Sequence, residues 1–252
     1  MLEVLPYYPQ NTYFPIKYQK KDIPYIEKTP TVAYHNNFYN FVFTDFNALD
    51  YNFLITLFYF FKEKKNLAIE VNSLYFASFM NKKFYNKKRM IREFKAFAEK
   101  AMKIYIKTHF EEKTTYFNLF NHIHIDEKKG NFYIALDQNI INILNNINSL
   151  YTKFFLKEFY SLNGKYSKII YLLLISFKNK NYFEISKDDF YRYLDLGSSY
   201  ERKDNFEKRV LRPALQELEE KSSIKNINCQ EVKDEAKKIS FIFHFEKQKI
   251  QG

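Results

Sequence analysis

The sequence predicts an α+β chain of two tandem winged-helix domains related by an internal pseudo-repeat, on three observations. First, DNFEKRVLRPALQELEEK (204–221) sets Phe206, Val210, Leu211, Ala214, Leu215 and Leu218 at helical spacing on one broad face. Second, around it run a helix (165–178), a short strand (182–186), a helix (187–194), a turn at Gly197, the long helix itself and a hairpin (224–232 and 238–245). Helix, strand, helix, helix and two-stranded wing is the order of a winged helix. Third, FKEKKNLAIEVNSLYFASF (61–79) can be laid over FKNKNYFEISKDDFYRYL (177–194), which implies two copies of one domain spaced by about 115 residues.

Taken in order, residues 1–40 read as an extended arm. Five of the six prolines, at positions 6, 9, 15, 24 and 30, exclude a long helix there. Lys17, Lys20 and Lys21 read as a solvated tail, with phosphate contact as the sharper alternative. Order is expected from about Thr44, and the first domain spans 41–137. Its first helix is capped by Asp45 or Asp50, buries Leu54, Leu57, Phe58 and Phe61, and ends in Lys62-Glu63-Lys64-Lys65. A strand (67–71) and a short helix (73–80) follow. A basic helix (86–103) then buries Met90, Ile91, Phe94, Phe97 and Ala101 and exposes Lys88, Arg89, Arg92, Lys95 and Lys100. Strands are expected at 104–110, 115–126 and 131–136. A connecting helical segment (138–164) leads to the second domain, 165–252.

In the long helix of the second domain, Asp204 as N-cap and Glu207 three residues on form a capping box. The face opposite the apolar one carries Asn205, Lys208, Arg209, Arg212 and Gln216, whereas the last turn carries Glu217, Glu219 and Glu220. A merely solvated helix mixes both signs along its length. A basic, amide-bearing front half suits entry into a major groove, where Arg and Lys read guanine and Asn and Gln pair with adenine.

Forty Lys and Arg against 29 Asp and Glu give a net charge of +11 and a pI near 9.3, which favours a polyanionic partner. The 28 Phe and 22 Tyr invite a base-stacking reading, but residues that an AT-rich genome over-supplies are more simply core. Cys229 is the only cysteine, so no intramolecular disulfide or cysteine-rich zinc site forms. The start of the chain lacks the pattern of a signal peptide, and the longest apolar runs (53–61 and 169–177) fall short of a membrane span. A cytoplasmic protein without membrane partners is expected.

Three segments carry a resemblance to a known family: Tyr151-Thr152-Lys153-Phe154; Lys165-Tyr166-Ser167-Lys168 leading into Ile169-Ile170-Tyr171-Leu172-Leu173; and Arg209-Val210-Leu211-Arg212-Pro213-Ala214-Leu215-Gln216-Glu217-Leu218. A proline inside an amphipathic helix costs about 3 kcal/mol and frees a carbonyl one turn back, so composition alone does not place it there. Together these segments resemble the iteron-binding replication initiators of theta-replicating plasmids, specifically over 150–246 and in element order alone over 44–137. The resemblance implies two winged-helix domains gripping successive grooves of double-stranded origin repeats. It also implies a monomer active in initiation, a dimer that represses its own gene, and host initiator or helicase machinery as partners. By position it makes Lys203, Asn205, Lys208, Arg209, Arg212 and Gln216 the DNA contacts of the second domain. Lys87, Lys88, Arg89, Arg92 and Lys95 take a weaker, mainly phosphate-contacting part in the first.

Two other readings of the residues stay open. A stand-alone winged-helix repressor would share the reading helix. A metal-dependent tyrosine nuclease would use His122-Ile123-His124, with Asp126 beside them, and Tyr200 ahead of Lys203; hairpin histidines are the bland alternative. No GxxxxGK phosphate loop occurs, and no catalytic residue, cofactor or metal is expected. The paired carboxylates Glu111-Glu112 and Glu219-Glu220 read as solvated. Tyr116, Phe117, Leu119 and Phe120 read as hairpin core or as a strand-paired dimer surface.

Overall fold

The computed structural model describes residues 16–18, 30–35, 41–62, 67–80, 86–110, 112–145, 151–200 and 202–248. The proline-spaced N-terminal stretch supplies two strands, β1 (Ile16–Tyr18) and β2 (Thr31–His35). Order therefore begins well before residue 44, which corrects the expectation of a surface arm. Val32 is fully buried and Ala33 nearly so. Prolines forbid helix, but they leave the five residues between Pro30 and Asn36 free to pair as a strand. Lys20 and Lys21 lie outside the described residues, as do most of residues 1–40.

Helix α1 (Ala48–Phe61) is apolar around nearly its whole circumference and runs through the core, with Phe53, Leu54, Ile55, Leu57, Phe58 and Phe61 fully buried. Its cap is Asn47 rather than Asp45 or Asp50. Asn47 Oδ1 accepts the Leu49 and Asp50 N–H groups at 2.8 and 3.0 Å, and the Asp50 carboxylate accepts the Asn47 N–H at 2.8 Å. The box is completed in both directions. The basic end expected at 63–65 lies outside the described residues.

Strand β3 (Ala68–Asn72), α2 (Ser73–Phe79) and α3 (Lys87–Ala101) follow, with Asn86 capping α3 through Arg89 N–H. Then come β4 (Tyr105–Phe110), β5 (Lys113–Asn118), β6 (Phe120–Asp126) and β7 (Asn131–Leu136). The single strand expected over 115–126 is thus broken at Leu119, which is buried and turns the chain from the separate β4–β5 hairpin into the main sheet. Helix α4 (Gln138–Asn145), β8 (Tyr151–Phe155) and α5 (Leu156–Ser161) connect to the second unit. Strand β8 pairs antiparallel with β2, Val32 opposite Phe154.

The second unit runs α6 (Lys165–Ser176), β9 (Tyr182–Ser186), α7 (Lys187–Tyr193), the long helix, β10 (Ile224–Lys233) and β11 (Ile239–Lys247). Strand pairing carries the internal repeat down to single residues. The first sheet has the order β1-β3-β7-β6 and the second β10-β11-β9, so in each unit the second wing strand lies between the first wing strand and the strand that follows the leading helix. Val71 stands opposite Phe132 in one unit, and Ile185 opposite Phe241 in the other. Two winged-helix domains result.

The leading helices α1 and α6 pack on each other, and α1 is also tied to α5, where Thr56 Oγ1 and the Tyr160 hydroxyl lie 2.7 Å apart. One aromatic and aliphatic core therefore runs through both units. Among the described residues no helix is long and apolar enough to cross a membrane.

Candidate nucleic-acid interface

The long helix of the second domain is continuous over 203–221 but changes pitch. It is α8 over Lys203–Phe206, a π turn over Glu207–Leu211 and α9 over Arg212–Lys221. Pro213 explains the change. Its ring crowds the carbonyl one turn back and it has no N–H to donate. One extra residue in the preceding turn relieves the crowding, with Arg212 N–H reaching back five residues to the Glu207 carbonyl. The cap differs from expectation too. The helix starts at Lys203 after Arg202, which makes no side-chain cap, so Asp204 is a first-turn residue and Glu207 is released from a capping box. Glu207 instead faces Lys203 Nζ at 3.9 Å and Arg212 Nη2 at 3.8 Å.

Phe206, Val210, Ala214 and Leu218 are buried against the sheet and α6, and Leu211 is nearly so. On the other side Lys203, Lys208, Arg209, Arg212 and Gln216 are exposed, and Asn205 is half-buried. Lys208 and Arg209 take no ion-pair partner among the described residues, and Arg212 has only the loose contact to Glu207. The remaining three are partly committed. Lys203 Nζ lies 3.2 Å from Glu231 on the wing, the Asn205 amide donates to the Ser199 carbonyl at 3.0 Å, and Gln216 donates to Glu220 at 2.9 Å.

On α3 of the first domain, Lys88 is exposed and takes no ion-pair partner among the described residues. Its neighbours are tied down: Arg92 to Glu93 at 2.7 Å, Arg89 to Glu93 at 3.9 Å, and Lys95 to Glu127. Lys87 donates to the Lys128 carbonyl at 2.6 Å and lies across Gly130. The glycine has φ +75°, which is why this wing turn favours glycine; a Cβ there would also stand 2.7 Å from Lys87 Cε, a flexible chain end that can shift. Lys100, expected on the exposed face, turns inward to Asp50 at 2.7 Å.

The acidic half of the long helix holds the reading half in place. Glu217 accepts the Asn163 and Gly164 N–H groups at 2.7 and 2.9 Å, and Lys221 Nζ at 2.8 Å. Burial alone would raise its pKa, but the bonds from Lys221, Ser167, Asn163 and Gly164 hold it down to about 2. Glu219 accepts the Ile227 N–H at 2.6 Å, beside the bulge where Asn226 takes φ 53°, and so fastens the wing to the helix. This corrects the reading of Glu219-Glu220 as simply solvated; Glu111 lies outside the described residues. The Lys165-Tyr166-Ser167-Lys168 segment is structural throughout. Lys165 pairs with Asp195 at 2.9 Å, Tyr166 meets Tyr200 edge-on at 6.4 Å, Ser167 bonds Glu217, and the buried Lys168 donates to the Phe159 carbonyl at 2.7 Å. Sequence reading missed Glu217, Glu219 and Asp195 as positioning groups, because an acid's partner across the fold leaves no local signal.

The nuclease constellation is split between domains. The His122 and His124 rings lie nearly parallel at 6.4 Å on β6, while Tyr200 ends a 3-10 turn in the second domain. Burial, then His124, lowers the pKa of His122. Asp126 accepts the Lys129 N–H at 2.8 Å within the wing turn. Among the described residues no three His, Cys, Asp or Glu side chains gather to hold a metal ion. In the first-domain hairpin, Leu119 and Phe120 are core, and Tyr105 and Tyr116 are exposed with rings 6.1 Å apart.

Two helices with exposed basic faces, each backed by a winged sheet, define the class of tandem winged-helix proteins. Family models described as "Initiator Replication protein, WH1" and "Initiator Rep protein, WH2" match residues 31–175 and 186–245. The chain belongs to this initiator Rep family. The probable replication protein rep of Bifidobacterium longum (strain NCC 2705) is 27% identical over 106 residues, 42% of this chain. The match spans about a third of that relative, 36% of its length. Among solved structures, the Pi initiator protein in complex with iteron DNA superposes with a TM-score of 0.69 at 15% identity, over 88% of this chain and 99% of that one. It shares the two-domain fold.

Proposed function

We propose that this chain is a non-enzymatic plasmid replication initiator that binds direct repeats (iterons) of an origin in double-stranded DNA. In this reading 41–137 and 165–252 are the two gripping units and 138–164 joins them. The observation that carries it is the exposed row Lys208, Arg209 and Arg212 on the long helix of a chain in the initiator Rep family. Arginines there offer bidentate donors to guanine O6 and N7, and Gln216 and Asn205 offer amides to adenine. Lys203 reaches the phosphates flanking the groove. In the first domain Lys88 faces outward with no ion-pair partner among the described residues, while Arg89, Arg92 and Lys95 share their charge with carboxylates and Lys87 is held by a carbonyl. Its part is mainly phosphate contact that fixes register, with base choice weaker than in the second domain.

The monomer starts replication and a dimer represses the protein's own gene, both through the same reading helix. Lacking a phosphate loop, the protein opens no duplex by hydrolysis; it bends DNA and recruits the host's initiator or helicase machinery in the cytoplasm. Mobility-shift titration of the DNA flanking the gene tests this. The expected target is a run of direct repeats of about 20 bp, two helical turns each. Equal affinity for a scrambled repeat contradicts it.

A further inference from the structure

At the start of α6 the reading helix is tied to the segment that joins the two domains, and the second domain touches the first. From one side Glu217 reaches across and accepts the Asn163 and Gly164 N–H groups, which a helix start otherwise leaves unsatisfied. Gly164 makes the approach possible, since a Cβ there would meet Ser167 Oγ at 2.7 Å and Glu217 Oε2 at 3.1 Å. From the other side Asp195 Oδ2 accepts two donors, Lys165 Nζ of α6 and the backbone N–H of Asp45, each at 2.9 Å. Asp45 stands just ahead of α1 in the first domain. Both Asp45 and Asp195 have positive φ, 60° and 52°, so each sits at a sharp bend that aims these groups at each other.

We propose that Glu217 and Asp195 are positioning residues that fix the angle between the two reading helices, and with it the number of base pairs the protein accepts between its two half-sites. The inference rests on the DNA-binding reading above. Its logic is that of linked modules. The second module binds at an effective concentration set by how rigidly the first holds it, and that gain vanishes when geometry forbids simultaneous contact. One inserted base pair turns a half-site by about 35° around the duplex, so a stiff joint tolerates one spacing and a loose joint several.

The test starts from the sequence that the full-length wild-type chain selects from a pool of random duplexes. Spacer variants of that duplex, one and two base pairs longer and shorter, are titrated by fluorescence anisotropy. Wild type is expected to show one optimum, with affinity falling more than about tenfold on either side. In Glu217→Gln and Asp195→Asn that profile flattens to within about threefold, with weaker binding at the former optimum. A purely structural role would lower thermal stability and leave the optimum sharp. A sharp optimum kept by both folded variants overturns the proposal. If circular dichroism shows Glu217→Gln unfolded, Asp195→Asn decides alone. If wild type selects no sequence, the DNA-binding reading falls and this inference with it, a failure recognisable before any variant is made.

Discussion

Phe94 lies flat on Phe132, ring centroids 4.0 Å apart and planes within 10°, and so locks α3 onto the wing strand β7. The corresponding contact in the second domain, Phe206 on Phe241, is looser at 5.5 Å and 55°. Both first-domain rings are fully buried. Phe94→Ala is therefore expected to destabilise the protein by about 3–5 kcal/mol, the transfer and cavity cost of a large core aromatic. Equilibrium urea unfolding measures it, and a loss under about 1 kcal/mol would show that the core closes over the gap.

Acid acts through Glu217. Its folded pKa of about 2 lies below the ordinary 4.5, so its contribution is fully present above pH 4.5 and is lost as the pH falls toward 2. The stake is on the order of 2–3 kcal/mol. Unfolding curves of wild type and Glu217→Gln should differ by a nearly constant amount at pH 7 and 5, by roughly half as much at pH 3, and converge only below about pH 2. A gap that stays constant down to pH 3 contradicts the assignment.

The two basic helices are expected to respond differently to truncation. Arg209→Ala or Arg212→Ala costs about 1–3 kcal/mol on the cognate duplex and relaxes base preference. Lys88→Ala weakens binding to every duplex alike and lowers the slope of log affinity against log salt by about one. Affinity titrations over a series of salt concentrations separate these outcomes. An unchanged slope for Lys88→Ala removes the first domain from the phosphate backbone.

Pro213→Ala tests the π turn. Without the ring the helix is free to close into regular α pitch, which intrinsic propensity favours by up to about 3 kcal/mol. Thermal stability is expected to hold or rise. Cognate affinity is expected to fall about tenfold, because Lys208 and Arg209 rotate relative to Arg212. Affinity unchanged beside a raised Tm would mean that the altered pitch does not position the reading residues.

Elements with strong local period are legible in the sequence. Alternation in Ile239, Phe241, Phe243 and Phe245 marks β11, and the spacing from Phe206 to Leu218 marks the buried side of the long helix and, by difference, the exposed Lys208, Arg209, Arg212 and Gln216. Features made by distant partners are not legible. Val32 belongs to the core because β2 pairs with β8, a contact between residues more than a hundred positions apart, Val32 and Phe154. Lys100 leaves the basic face for Asp50, and Asn205 commits one amide hydrogen to the Ser199 carbonyl, because partners lie within reach only after folding. The π turn falls between these cases. Pro213 signals a disturbed helix but not whether it bends, breaks or gains a residue.

The central claim is that Arg209 and Arg212 choose the bases. Parallel selection from random duplexes by wild type and by Arg212→Ala tests it most directly. The expected result is one wild-type consensus spanning about two helical turns, and the same consensus from Arg212→Ala with preference lost at a single guanine. Identical consensus sequences from both proteins, or no enrichment by wild type, would contradict it.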